Sequence, residues 1–397
     1  MSVTTSPATV DRRARAAVAA LFLTNGALFA NLIPRYPQIK AELGLGNAAY
    51  GLAVAAFPTG AIVAGLGAAW AIRRLGSARA AVLGTLVTAL GVCAAAVAPT
   101  VGLLMAALFL AGAMDAITDV AQNAHGLRVQ RRYGRSIINS FHAVWSIGAV
   151  IGGSMAAGAI ALDVPRGVHL AVSGALFSVV ALVALRFCLP GTDGDDDATA
   201  GPGQLGDRVG ASRGRIVLVL AALVLIATAG TLVEDSGNSW AAIYLSGSLG
   251  AAAAVAATGY IALTGAQFIG RLLGDRLVDR FGQRAVARTG GVLVALGMGS
   301  ALAFPSVPGT VAGFAVAGFG VATLVPAAMH EADELPGLKP GTGLTVVSWL
   351  MRLGFLASPP LVGLVADASS VRVGLLVVPI AGLIVVLTAG VLQGRRR

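Results

Sequence analysis

The chain has 397 residues, of which 56% are hydrophobic and only 12% are charged, and its mean hydropathy is +0.83. A typical soluble domain carries about 25% charged residues, so this composition excludes an ordinary soluble protein and indicates a polytopic membrane protein. The net charge of +10 would suggest a nucleic-acid partner in a soluble chain, but the placement of the basic residues gives another explanation.

Twelve apolar runs, each about 18–25 residues long, can cross a bilayer core of about 30 Å. The polar stretch before the first run is short and shows no cleavage site, so we expect the first run to be a retained helix. In chain order, the predicted spans one to twelve are 16–34, 48–71, 79–99, 101–125, 136–162, 167–188, 216–236, 251–273, 285–304, 308–329, 341–365 and 372–393.

The basic residues gather on one side of these spans. With the N-terminus inside, most of the 28 lie in cytoplasmic loops, and only Arg35, Lys40, Arg166 and Arg372 lie in the opposite loops. This asymmetry follows the positive-inside rule and predicts an inner-membrane protein with both termini in the cytoplasm. It also explains the net charge without nucleic acid.

The chain divides into two halves that resemble each other. A Gly-, Pro- and Asp-rich stretch at 190–214 predicts a cytoplasmic linker between a bundle at 1–189 and a bundle at 215–397. Glycines recur at an offset of 206 positions in three places, which indicates an internal repeat. The pairs are Gly76 and Gly282, Gly112 and Gly318, and Gly148 and Gly354. We therefore predict an all-α fold of two pseudo-symmetric six-helix bundles.

Span four carries two aspartates in an otherwise apolar run. Asp115, Asp119, Gln122 and Asn123 share one face of a helix. A carboxylate at the centre of a span costs about 2.5–3.5 kcal/mol on insertion scales, and such residues usually face a bundle interior and handle protons, ions or solutes. The counterparts of both aspartates in the second half are valines, so the scaffold itself does not require the acids.

These motifs resemble the major facilitator superfamily. The run from Gly274 to Arg284 is similar to the signature loop of that superfamily, and the resemblance assigns a role in conformational change to Asp279, Arg280, Gly282 and Arg284. The first-half copy departs from the pattern, because Arg73 stands where the aspartate is expected.

Within the superfamily, the sequence is most similar to the fucose-permease-like branch and its uncharacterised bacterial inner-membrane members. The segments that carry the likeness are 119–123 in span four, 140–148 in span five and 234–245 in span seven. The resemblance implies that Asp119 couples transport to protons.

The proton-handling residues predicted from these patterns are Asp119, Asp115 and His142. Two acids one turn apart would share a proton, and a histidine is a natural proton switch. A structural hydrogen bond remains the alternative for each. The predicted substrate-binding residues are Asn25, Asn123, Trp145, Glu234, Asn238, Trp240, Trp349 and Arg352.

Alternatives also stay open for the substrate-binding set. A buried arginine needs an anion, which either the protein or the substrate supplies to Arg352. Glu234 is either a cavity residue or a solvated residue at the outer end of its span. Packing is the alternative for each tryptophan.

The leading hypothesis is a proton-coupled secondary transporter that moves a small polar solute, sugar-like or an organic acid, by alternating access. The alternatives are proton-driven efflux of a drug or hydrophobic metabolite, and a membrane sensor that does not transport. The sequence has no nucleophile triad, ATP-binding motif or metal-ligand spacing, so we expect neither an enzyme nor a cofactor. The expected partners are the solute, protons and the bilayer, and we expect a monomer.

Overall fold

The computed structural model describes residues 7–133, 137–190, 213–338 and 342–394, and these residues form helices and no strands. The α-helices are Pro7–Leu32, Tyr36–Glu42, Asn47–Val54, Ala56–Gly65, Ala68–Leu75, Ser77–Ala96, Val101–Tyr133, Ile138–Ala161, Arg166–Leu185, Arg213–Ile243, Ala253–Phe281, Gln283–Ala303, Val307–Val321, Leu324–Asp333, Thr342–Leu350, Arg352–Ala368, Val371–Gly374 and Val377–Thr388. Short 3₁₀ segments at Ile33–Arg35 and Ala389–Val391 and a π-helical segment at Tyr244–Ser248 extend three of them.

The prediction of twelve membrane-spanning helices is confirmed. The spans are Asp11–Glu42, Asn47–Gly65, Ser77–Ala96, Val101–Tyr133, Ser140–Ala161, Arg166–Leu185, Gly214–Ser248, Ala253–Phe281, Gln283–Ala303, Val307–Asp333, Thr342–Ala368 and Val371–Val391. Several run further than predicted, and span four continues to Tyr133. Hydropathy falls at the charged ends of these helices, whereas the backbone hydrogen bonding continues through them.

The first compact unit comprises Met1–Arg35 and Ala56–Pro202. Span one packs against spans five and six, and span four packs against span three and the second part of span two. Phe22 stacks on Phe141 with ring centroids 5.4 Å apart, which fixes span one on span five. This packing positions the polar face of span four within the unit.

The second compact unit comprises Tyr36–Ala55 and Gly203–Arg397. Span seven packs against span eleven, and span ten packs against spans eight and nine. The contacts assign residues 36–55 to this unit, although they lie within the predicted first bundle at 1–189. The bundle boundaries at 1–189 and 215–397 stay a prediction. The predicted linker at 190–214 lies outside the described residues except for Pro190, Arg213 and Gly214.

The internal repeat has a counterpart in backbone geometry. Gly76 and Gly282 each cap a helix in a conformation that favours glycine, with φ of 79° and 83°. Gly112 approaches the carbonyl oxygen of Phe57 and Gly318 approaches that of Leu263, again 206 positions apart. Close packing of two helices through glycine is therefore repeated in both units.

Gly112 provides a stability test of this close packing. A Cβ atom at Gly112 would overlap the backbone of Phe57, so we expect Gly112→Ala to destabilise the protein by about 1–3 kcal/mol, as overpacked sites do. Gly158 lies in the helix Ile138–Ala161 with nothing within 4 Å of an added Cβ. The matched control Gly158→Ala should be neutral or slightly stabilising. Thermal unfolding in detergent measures both, and equal melting temperatures would contradict the packing.

Within the second unit, a side chain caps the start of the helix Asn47–Val54, which is the first part of span two. Asp367 Oδ1 accepts from the backbone N–H and Nδ2 of Asn47, both at 2.9 Å, and its Oδ2 accepts from the N–H of Ala48 at 2.8 Å. A carboxylate at a helix N-terminus accepts hydrogen bonds from the free backbone N–H groups there. Its negative charge also interacts favourably with the positive end of the helix dipole.

We expect Asp367→Ala to lower the melting temperature, because the amides of Asn47 and Ala48 lose their acceptor. Asp367→Asn, which keeps one acceptor, should lower it less. Differential scanning fluorimetry of the detergent-solubilised protein gives the comparison, and an Ala variant as stable as the parent would show that the cap contributes nothing.

Candidate functional site

The polar face predicted on span four exists in the first unit. Asn123 Nδ2 donates to Asp119 Oδ1 at 3.0 Å and to the Asp119 carbonyl at 2.8 Å. Gln122 Nε2 lies 3.5 Å from the same carboxylate oxygen. The amides one turn along the helix therefore solvate the Asp119 carboxyl group within the span.

Asn25 of span one connects this face to span five. Its Nδ2 donates to Asp115 Oδ1 at 2.7 Å, and its Oδ1 accepts from Trp145 Nε1 at 2.8 Å. Gln122 Nε2 lies 3.5 Å from the same Asn25 oxygen. Asn25 is buried, with 7% of its surface exposed. Because one amide contacts an acid, an indole and a second amide, Asn25 joins spans one, four and five.

His142 reaches Asp119 through a shared amide. His142 Nε2 lies 3.1 Å from Asn123 Oδ1, and the Nδ2 of Asn123 donates to Asp119. An amide oxygen only accepts, so this orientation places a proton on Nε2. The imidazole is exposed and its ring meets Phe22 edge-on at 5.2 Å. The structure therefore links the predicted acid and histidine through Asn123.

We call these side chains the first-unit polar network. Its members are Asn25, Asp115, Asp119, Gln122, Asn123, His142 and Trp145. Six of the seven were predicted as site residues, and Gln122 was predicted only to share the polar face of span four. Gln122 is fully buried, and its Oε1 has no hydrogen-bond partner among the described residues.

Glu234 is held by span eight within the second unit. Gln267 Nε2 donates to Glu234 Oε2 at 2.7 Å, and Arg271 Nη2 lies 3.7 Å from the same oxygen. The carboxylate therefore has both a neutral donor and a cationic neighbour. In the first-unit polar network, amide groups donate to both aspartates.

The next residue, Asp235, was not among the predicted site residues. It is buried, with 7% of its surface exposed, and the Ser239 hydroxyl lies 3.4 Å from both of its oxygens. Ser358 of span eleven packs against the same part of span seven, where its Oγ lies 3.1 Å from Ser236 Oγ. The serines carry no hydropathy signal strong enough to mark them, so sequence patterns did not single them out.

The two predicted tryptophans of the second unit have different surroundings. Trp240 is fully buried and meets the Tyr50 ring edge-on at 5.1 Å, an arrangement typical of packing. Trp349 is 53% exposed. Asn238 is half-buried on span seven. Substrate contact by these three residues stays a prediction.

Arg352 stands where span eleven is interrupted. One helix ends at Leu350 and the next begins at Arg352, and Thr231 Oγ1 donates to the intervening Met351 carbonyl at 2.8 Å. Arg352 is half-buried, and no carboxylate among the described residues of the second unit lies within 4 Å of it. The protein-carboxylate alternative therefore has no support within this unit.

The predicted loop motif caps span eight. Asp279 and Arg280 are exposed, and the Arg280 guanidinium lies 5.4 Å from the Phe281 ring centroid. Gly282 makes the turn, and Arg284 Nε donates to the Leu392 carbonyl at 3.0 Å. The motif therefore fixes the end of span twelve within the second unit.

The described residues contain no group of three or more His, Cys, Asp or Glu side chains that could hold a metal ion. Cys93 and Cys188 are free thiols. Burial raises the pKa of the Cys188 thiol to about 12, so this residue is protonated and packs as a small apolar group.

Twelve apolar helices in two units, with polar and ionisable side chains buried between the helices of each unit, define a multi-pass membrane transport protein. The family model described as "Major Facilitator Superfamily" matches residues 236–397. The chain is 30% identical over 370 residues to "Membrane protein MosC" of Rhizobium meliloti, covering 93% of this chain and 88% of that protein. It belongs to the Major Facilitator Superfamily.

Other relatives and solved structures agree with this family. An "uncharacterized transporter" of Sinorhizobium fredii, y4wD, is 29% identical over 95% of this chain and 97% of its own length. The nucleoside transporter NupG superimposes with a TM-score of 0.71 at 13% identity, over 95% of this chain and 97% of that one. A D-xylose–proton symporter gives 0.69 at 17% identity, over 96% of each chain. At these identities the structures show the shared fold alone.

Proposed function

We propose that this transporter uses the proton gradient to move a small polar solute across the cytoplasmic membrane by alternating access. The observation that carries the proposal is the first-unit polar network, which places two carboxyl groups inside a span and solvates them with amides. Ionisable residues inside a membrane span are costly and mark proton or solute pathways. An amide is neutral and hydrogen-bonds both the charged and the protonated form of a carboxyl group, so such a site suits a carboxyl group that gains and loses a proton.

Asp119 is the proposed coupling acid. It lies one helical turn from Asp115, and two negative charges at that spacing in a low dielectric repel each other. The pair therefore titrates as a unit with a shared proton. A proton on the Asp119 carboxyl group changes its hydrogen bond with the Asn123 amide. Because Asn123 also contacts His142, it transmits the protonation state of Asp119 to that histidine.

Arg352 is the proposed contact for a negative group on the solute. A guanidinium within a span needs an anion, and the described residues of the second unit supply none within 4 Å. A carboxylate on the solute satisfies this need with paired hydrogen bonds. Among the predicted substrates, this favours an organic acid or sugar acid over a neutral sugar.

The remaining predicted substrate contacts are Asn25, Asn123, Trp145, Glu234, Asn238, Trp240 and Trp349. Amides and carboxylates bind solute hydroxyl groups, and exposed indole faces pack on sugar rings. We also propose that the protein works as a monomer. We propose that both termini lie in the cytoplasm, and the distribution of arginines supports this orientation. Transport, rather than catalysis, is its proposed activity.

The proposal is tested in two steps. A thermal-shift screen of the purified protein against sugars, sugar acids and other small organic acids identifies a solute. That solute is then added to proteoliposomes loaded with a pH-sensitive dye. Solute-dependent proton entry supports the proposal, and solute uptake without proton entry contradicts it.

A further inference from the structure

The second unit contains a buried acid that the proposed mechanism does not use. Asp235 lies in span seven, and only 7% of its surface is exposed. The Ser239 hydroxyl hydrogen-bonds both of its carboxyl oxygens at 3.4 Å. No lysine or arginine among the described residues of this unit forms an ion pair with it.

Three buried serines accompany this acid, and we define the Asp235 cluster as Asp235, Ser236, Ser239 and Ser358. Ser236 Oγ lies 3.1 Å from Ser358 Oγ and donates to the Leu232 carbonyl at 2.8 Å. All four residues are buried. A charge enclosed by hydroxyl groups and apolar helices is costly to maintain, and uptake of a proton removes that cost.

The Asp235 cluster also contacts the segment 36–55. Tyr50 Oη donates to the backbone carbonyl of Ser239 at 2.6 Å, and the Tyr50 ring meets Tyr36 edge-on at 5.8 Å. Ionisable side chains near Asp235 in this unit include its chain neighbour Glu234 and the tyrosines Tyr36 and Tyr50. None of these groups carries a positive charge, so none compensates a charge on Asp235.

We propose that Asp235 is a second protonation site of this transporter, located in the second unit and separate from the first-unit polar network. The inference deepens the proposed proton coupling and rests on it for its physiological meaning. Protonation changes what the Ser239 hydroxyl binds, and the backbone carbonyl of the same residue accepts the hydrogen bond from Tyr50. A proton on Asp235 therefore alters how segment 36–55 is held on span seven.

Trp240 supplies a local probe, because it follows Ser239 in the chain and packs on Tyr50. The chain has four tryptophans, so Trp70→Phe, Trp145→Phe and Trp349→Phe leave Trp240 as the reporter. We expect its emission to change through a single transition as the pH is varied in potassium buffer. Asp235→Asn should abolish the transition, whereas Ser239→Ala should move its midpoint.

Asp119→Asn in the same background is the matched control and should leave the Trp240 transition intact. An unchanged transition in Asp235→Asn would overturn the inference. So would an emission change driven by sodium at constant pH, which would identify a cation site instead. Because the readout requires no solute, failure of proton-coupled uptake with an intact Asp235-dependent transition would overturn the proposed function alone.

Infrared difference spectra between high and low pH provide a second measurement on the protein with all four tryptophans. We expect a protonated-carboxyl band that shifts in frequency in Ser239→Ala, since the hydrogen bond to that group is lost. A spectrum that is identical in Ser239→Ala and the parent protein would overturn the inference even if Asp235→Asn fails to fold.

Discussion

Replacing Asp119 with asparagine is expected to abolish proton-driven accumulation of the solute while exchange of labelled for unlabelled solute continues. Asparagine has nearly the size of aspartate and retains an acceptor for Asn123 and Gln122, so the packing of span four should persist. It takes up no proton in the physiological range, so the pH gradient no longer biases the conformational equilibrium. Exchange needs no net proton movement and should survive.

The measurement compares uptake of the radiolabelled solute, identified by thermal shift, with and without an imposed pH gradient. The matched control is Asp163→Asn, which changes an exposed loop carboxylate with a φ of 52° that asparagine also adopts. We expect full gradient-driven uptake in the control. Equal accumulation by Asp119→Asn and the parent protein would remove Asp119 from the coupling mechanism.

Replacing Arg352 with glutamine is expected to weaken binding of an anionic solute about 10–100-fold. A hydrogen bond to a charged group contributes about 1.5–3 kcal/mol, and each 1.4 kcal/mol is about tenfold in affinity. Arg352→Lys should lose less, because it keeps the charge and loses only the paired geometry. The interruption of span eleven at Met351 is held by Thr231, so the backbone there does not depend on the guanidinium.

Isothermal titration of the purified protein with the identified acid measures this loss. Arg276→Gln, at an exposed position of span eight, controls for the general loss of one positive charge. Affinity for a neutral solute of the same size should be the same in Arg352→Gln and the parent protein. If Arg352→Gln binds the acid as tightly as the parent, Arg352 does not contact the solute anion.

Most of the fold could be predicted from the sequence, because a membrane-spanning helix must have a minimum length and an apolar composition. Runs of apolar residues mark the spans, and the glycine offset of 206 identifies the repeat that the backbone angles of Gly76 and Gly282 reproduce. Helix ends were less predictable, since the helix of span four continues through His125 and Arg128 to Tyr133. Hydropathy records where the apolar stretch ends and not where the hydrogen bonds end.

The first-unit polar network was predictable in its members but not in its connections. Asp115 and Asp119 stand out because charged residues are rare in a span, and Asn123 follows them at helical spacing. The contact of Asn25 with Asp115 joins residues 90 positions apart, which no local pattern contains. Helix packing decides such contacts.

Sequence patterns missed the Asp235 cluster because its members do not stand out individually. Asp235 looked like a residue near the outer end of its span, beside the more obvious Glu234. Its hydroxyl partner Ser239 is in turn held by Tyr50, which lies far away in the sequence. Serine and tyrosine are common in ordinary helices, so only their placement around one carboxyl group makes them informative.

Simultaneous recording of solute and proton movement would test proton coupling through the first-unit polar network. Proteoliposomes containing the parent protein and a pH-sensitive dye are diluted into buffer with the radiolabelled solute at equal internal and external pH. We predict that solute entry acidifies the interior and that Asp119→Asn removes the acidification. Solute entry at an unchanged internal pH would contradict proton coupling.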